Sequence, residues 1–388
     1  MNYGKKSLIL HKKYKGKIEI RAKVLTKNKE DLSVTYTPGV AEISKLLQKN
    51  PSSAYIYSIK ANTILIISDG SAVLGLGNIG PLGALPVMEG KALLFKNFGN
   101  VDAYPICLDT QNTEEIIKTI KNIAPAFGGI NLEDISAPRC FEIEQRLKKE
   151  LSIPVFHDDQ HGTAIVVLAA LLNALIVVKK KKENIKIVIN GAGSAGQAIL
   201  YLLKKAGFSS KKIIILDSKG IISKKRIDLD FYKQKIAKIT NKNSLIGELK
   251  DAIKQTDVFI GVSVKDILTK EMIASMNIDP IVFAMANPNP EISYKEIKKT
   301  KIAVFGTGRS DYPNQINNVL VFPGFFRGLL DARIKKITEK MKIDAAYTIA
   351  NLISKSKLNA NYIIPNPFDK RVAKAVANAV KNANNINL

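Results

Sequence analysis

From Thr163 onward the chain alternates long apolar segments with short, continuous apolar runs. Thr163 to Val178 is apolar at nearly every position, long enough for a buried helix. Lys186 to Asn190 (KIVIN) and Lys212 to Asp217 (KIIILD) are short β-branched runs, which predict strands, and Ala195 to Ala206 between them reads as a helix. Asp257 to Val262, Ile281 to Ala286 and Ile302 to Phe305 continue the strand rhythm. Strands alternating with helices of this length predict a parallel sheet with right-handed crossovers. Before about residue 160 the elements are shorter and separated by Gly and Pro. The expected fold class is therefore α/β: a mixed α/β domain over 1–160, then a Rossmann-like domain over 161–388. From Phe322 the strand rhythm stops, which leaves the segment after about 320 free to pack back on the first domain. The polar end, Asn382 to Asn387, is expected to fray.

Composition narrows the partners. The longest apolar stretch, Ala164 to Val178, is interrupted by Asn173 and falls short of the roughly 18 residues a bilayer span needs. The first twenty residues alternate Lys with short apolar pieces rather than forming a signal peptide. The two cysteines, Cys107 and Cys140, make no disulfide framework and fit a reducing cytoplasm. A net charge of +25 invites a nucleic-acid partner, but only 8 of the 59 basic residues are Arg. Lysine lacks the planar fork that reads phosphate and guanine bidentately, and here it is spread along the chain without aromatic interleaving. The expectation is a cytoplasmic protein with neither nucleic acid nor membrane as partner.

Two stretches match G-x-G-x-x-G. Gly191-Ala-Gly193-Ser-Ala-Gly196 follows the strand KIVIN and opens a helix at Ser194 and Ala195, and the next strand ends in Asp217. That context is the one a dinucleotide requires: a tight turn, an approachable backbone, a helix N-terminus for the pyrophosphate and an acid for the ribose. The earlier match, Gly75 to Gly80, is followed at once by Pro81 and by no strand ending in an acid. Its glycines instead predict a loop that something approaches closely.

Two acidic doublets remain, Glu133-Asp134 and Asp158-Asp159, both beside apolar residues where an unpaired carboxylate is costly. Oxygen-only clusters suit hard cations such as magnesium or manganese, and both members of a doublet can converge only where a strand ends. His157 and His161 superficially match a zinc-binding helix, but Pro154 and Gly162 argue against a long helix there. Lys91 sits in an apolar segment, where burial can lower its pKa toward neutrality. Tyr36 precedes a Pro-Gly turn that can present its hydroxyl to a cleft.

VTYTPGVAE, SDGSAVLGLGNIGPLGALPVMEGKALLFK, PAFGGINLEDI, PVFHDDQHGTAIV, NGAGSAG, FAMANPNPEI and GTGRSDYPNQINNVLVFPG together resemble bacterial small-subunit malic enzymes. The resemblance runs in consistent order from about Gly16 to Arg371. It implies an NAD-dependent, magnesium- or manganese-dependent oxidative decarboxylation of malate to pyruvate and carbon dioxide. It further implies Tyr36 as general acid, Lys91 as general base and Asp158 as the carboxylate that hydrogen-bonds the lysine. Glu133, Asp134 and Asp159 then match the metal ligands, and Asn287 and Asn318 the amides that hold the malate carboxylates, Asn287 also beside the cofactor. Gly191, Gly193, Gly196 and Asp217 match the NAD site. A homodimer follows from the resemblance alone. One departure stands out: larger members carry an arginine after the Asp-Gly turn, whereas this chain has Asp69-Gly-Ser-Ala-Val. Arg309 or backbone N–H groups are the candidates for its task. Malolactic conversion to lactate and a non-catalytic nucleotide-binding role are the rival expectations.

Overall fold

The computed structural model describes residues 3–73 and 75–385. Two parallel sheets form the molecule. The first has the order β2-β1-β3-β4, with β1 Thr63–Ser68, β2 Asp102–Cys107, β3 Gly129–Leu132 and β4 Val155–His157. The second has the order β10-β9-β8-β5-β6-β7. Its strands are β5 Ile187–Asn190, β6 Ile213–Asp217, β7 Gly220–Ile221, β8 Val258–Gly261, β9 Ile281–Ala284 and β10 Val304–Thr307. All of these pairs are parallel except β6 with β7, a tight antiparallel return. Ile64 to Ile67 and Val188 and Ile189 are wholly buried, as strands covered by helices on both faces must be.

The helix Asp158–Val177 lies at the centre, packed on Ser194–Lys205 and on Glu339–Asn351. It begins five residues before the expected Thr163. The doublet Asp158-Asp159 forms its first turn, where the helix dipole favours acids. With those residues included the helix is long and apolar enough to cross a membrane, correcting the expectation that it falls short, yet most of it is buried inside this fold. Its interior amide Asn173 donates to the carbonyls of Ala350 and Ile363, both at 2.9 Å, and so ties the C-terminal segment to the core.

After β10 the chain returns to the first sheet. The helix Phe322–Asp331 packs on Gly80–Gly99, with the rings of Phe95 and Phe322 centred 4.6 Å apart and those of Phe156 and Phe325 4.9 Å apart. The last helix, Arg371–Asn385, takes in most of the tail expected to fray; residues 386–388 lie outside the described residues. At the other end of the chain, the helices Tyr3–Tyr14, Lys29–Thr35 and Val40–Lys49 contain no buried residue.

Candidate active site

Parallel register assembles the acidic cluster. Leu132 pairs with His157 across β3 and β4, so Glu133 and Asp158, the next residue on each, leave the sheet side by side. Asp69 follows β1, whose Ile67 pairs with Leu132. Lys91 reaches this end of the sheet from the helix Gly80–Gly99. Its Nζ lies 2.6 Å from Asp158 Oδ2, 2.7 Å from Glu133 Oε1, and over the ring of Phe322. All three charged side chains are buried. Burial pulls the Lys91 ammonium down, but Asp158, Glu133 and Asp159 outweigh it and hold its pKa above the ordinary lysine value. The expected lowering toward neutrality is thus reversed here, because the apolar segment delivers the lysine into a ring of carboxylates.

The carboxylates feel one another. Burial, then Asp159 and Glu133, push the Asp134 carboxyl up to about 9, and burial pushes Asp158 up to about 7 against the pull of Lys91. Asn318 lies against Asp158 and favours its charged form. Among the described residues no three His, Cys, Asp or Glu side chains stand close enough to hold an ion as they are. Glu133 is turned onto Lys91 and accepts from Asn131 at 2.8 Å, while Asp159 accepts from the Asp134 N–H at 2.8 Å. The donor set nonetheless fits a hard divalent cation: three oxygen-only acids whose mutual repulsion a double positive charge relieves. His161 is not free to hold zinc. Burial lowers His161 to about 4, and its Nε2 is bound to Glu144 at 2.9 Å while its Nδ1 accepts from Lys342 at 3.1 Å.

The second fingerprint takes the shape expected of it. Gly191 sits at φ +121°, and a Cβ on Gly196 would lie 1.8 Å from the Gly191 carbonyl. A cleft of about 710 Å³ runs past Gly191, Gly193, Asp217 and Lys233. It meets a second cavity of about 230 Å³ at Gly193 and Ser263, whose wall includes Ser194, Ala195, Asn287 and Asn318 on one side and Asp134 and Asp159 on the other. Glycines of the first match line neither space. Gly75 instead lets its loop pass the carbonyl of Asn287, which a Cβ would approach to 2.2 Å.

Three expectations need correction. Tyr36 is 66 % exposed, its hydroxyl has no partner among the described residues, and it does not join Lys91. The arm that carries it is not buried against its own chain. Arg309 does not line the cavity: Asp311 takes its guanidinium at 2.8 and 2.7 Å, and its Nη1 donates to the Pro288 carbonyl at 3.0 Å. Asp217 is not a free acid. Arg226 reaches it at 2.7 Å and Lys233 at 2.9 Å, and against the cost of burial they hold its pKa below the ordinary value. The sequence reading missed both cations, and also Arg139, which pairs with Asp69 at 3.0 Å beneath the Asp-Gly turn.

A nucleotide cleft on one sheet and a lysine–carboxylate cluster on the other, whose neighbours Asp134 and Asp159 share a cavity with the glycine turn, define a two-domain dinucleotide-dependent oxidoreductase. Family models agree with this class: the malic enzyme N-terminal domain matches residues 15–148 and the malic enzyme NAD binding domain residues 160–384. The bifunctional malic/malolactic enzyme of Bacillus subtilis (strain 168) is 55% identical over 384 residues, covering 99% of this chain and 93% of that one. The NAD-dependent malic enzyme of Geobacillus stearothermophilus is 55% identical over 383 residues, covering 99% and 79%. The crystal structure of the NAD-dependent malic enzyme of Thermotoga maritima superposes with a TM-score of 0.93 at 47% identity, covering 97% and 98%. This chain belongs to the malic enzyme family.

Proposed function

We propose that this protein oxidises (S)-malate to pyruvate and carbon dioxide with reduction of NAD, in the cytoplasm, on a divalent cation held by Glu133, Asp134 and Asp159. The observation that carries the reading is one cavity lined by Asp134 and Asp159 and by the glycine turn, with Lys91 held on Asp158, next to Asp159 in the chain. When bound, NAD supplies a hydride acceptor and the cation an electron sink at the C2 oxygen. The remaining work belongs to this chain. Lys91 takes the C2 hydroxyl proton, oriented by Asp158 and Glu133. With Glu133 and Asp159 engaged by a cation, Lys91 keeps Asp158 but loses two of the three carboxylates that hold its pKa up, which moves it toward the amine a base requires. Asn287 and Asn318 face the cavity as hydrogen-bonding amides for the substrate carboxylates. Tyr36 returns a proton to C3 after carbon dioxide leaves.

Tyr36 can do this only if its arm is completed from outside the subunit. The arm exposes Leu8, Ile9, Ile20, Leu25 and Val34, apolar residues that water does not favour. We therefore assign the arm to a homodimer in which one protomer's Tyr36 enters the partner's site.

Incubation with malate, NAD and manganese tests the reaction. NADH and pyruvate should accumulate together. Lactate without NADH would establish malolactic conversion instead, the second activity in the name of the B. subtilis relative. Neither product would leave a non-catalytic nucleotide-binding protein.

A further inference from the structure

Glu291 is wholly buried, four residues beyond Asn287, and takes no part in the chemistry above. Burial pushes its carboxyl up to about 7, against the hydrogen bonds that backbone N–H groups donate to it. A carboxylate is an expensive group to place there, since burying its charge is unfavourable unless donors repay it. What it holds explains the position. Its Oε1 accepts from the Ser263 N–H at 3.3 Å, in the loop after β8, and its Oε2 from the Ala286 N–H at 3.1 Å, after β9. The approach is close: a Cβ on Gly261, the last residue of β8, would lie 2.4 Å from the Glu291 carboxyl carbon. Ser263 in turn accepts from the Asn190 amide at 2.6 Å, which brings the end of β5 into the same chain of bonds. Ser263, Ala286 and Asn287 all line the 230 Å³ cavity.

We infer that Glu291 is a positioning residue for hydride transfer, tying the loops after β8 and β9 into one cavity wall that fixes Asn287 and the reacting end of the cofactor. The inference rests on the malate-oxidising function proposed above. An acceptor-only group with two oxygens suits the task, because each loop offers a donor. Glutamine keeps one acceptor but turns an NH₂ toward the other N–H, so one loop is released. Displacements of about 1 Å at a reacting centre cost on the order of 10²-fold in rate. Decarboxylation of added oxaloacetate needs no hydride acceptor and therefore depends on this wall only through Asn287.

The test compares two activities of Glu291→Gln with those of the wild type. Malate oxidation should fall by about tenfold or more, while manganese-dependent decarboxylation of oxaloacetate without cofactor falls several-fold less. A parallel fall in both would mean a general structural role, and oxidation within about twofold of wild type would mean no role; either overturns the inference. A second measurement uses wild-type protein without cofactor and holds even if the variant fails to fold. The Ser263 and Ala286 amides should be protected from hydrogen exchange, although Ser263 itself is exposed. Exchange at the rate of an open loop would overturn the inference as well. A wild type that makes no NADH from malate would instead sink the proposed function, leaving the exchange result to stand by itself.

Discussion

At the scale of single residues, charge is decided by neighbours rather than by residue type. Lys91 alone in an apolar helix would be pushed toward neutrality; placed 2.6 Å from Asp158 and 2.7 Å from Glu133 it is held as an ammonium. If it is the base, Lys91→Ala should lose malate oxidation by a factor on the order of 10² or more, the usual scale for a general base. Oxaloacetate brings its ketone ready-made, so its decarboxylation should suffer less. Near-normal NADH formation by the variant would remove Lys91 from the mechanism. Glu291 yields a prediction about stability. An acid whose pKa rises on folding from the ordinary 4.5 to about 7 favours the folded state only while protonated. Its contribution is intact below the unfolded value and is lost as pH rises through about 7. Glu291→Gln does not titrate. Its denaturation free energy relative to wild type should therefore improve by roughly 3 kcal/mol across that window. A difference that does not change with pH would show that Glu291 ionises freely.

Elements decide the cofactor. Sequence spacing leaves Asp217 without a nearby arginine, with Lys219 as the nearest cation. Yet β7 turns back on β6, with Asp217 opposite Gly220, and carries Arg226 to the acid, while the helix Phe231–Ile239 supplies Lys233. The carboxylate therefore stands guard over two cations that would otherwise suit a 2′-phosphate. Wild type should prefer NAD, since Asp217 already fills that place. Asp217→Ser should raise kcat/KM for NADP by about ten- to a hundredfold, because hydrogen bonds to charged groups contribute roughly 1.5–3 kcal/mol each. If the variant lost NAD activity without gaining NADP activity, Arg226 and Lys233 would be holding the loop and nothing more.

For the whole molecule, the question is whether one subunit contains a complete site. Tyr36 stands on an arm whose helices bury nothing of their own, so the proposed acid and base would meet only if a second copy closes over it. Mixing decides this. Tyr36→Phe and Lys91→Ala homodimers should each be defective, but co-expressed chains form mixed dimers with one fully intact site. Random pairing through a two-fold interface should restore about a quarter of wild-type activity. No recovery, with mixed dimers shown to be present, would place Tyr36 and Lys91 in the same subunit's site.

Much of this was legible in the residues because some signals are local. A glycine turn between a strand and a helix, and an acid at the end of the next strand, are properties of consecutive residues; Gly191 to Gly196 and Asp217 lie where spacing put them. The acidic doublets announced strand ends for the same reason. Other features depend on which ends become neighbours, and no window of sequence contains that. The register of β3 on β4 set Glu133 beside Asp158, the return of β7 set Arg226 on Asp217, and the parallel ends of β8 and β9 gave Glu291 two loops to hold. The start of the central helix at Asp158 belongs with these. Pro154 and Gly162 argue against a long helix there, but Glu144 and Lys342, from two other helices, anchor His161 within the first turns. Chemistry that rests on the chain's own continuity was determined by the sequence. The sign of a charge and the company of a buried acid came only from tertiary structure, because electrostatic energy depends on distance in space and not along the chain.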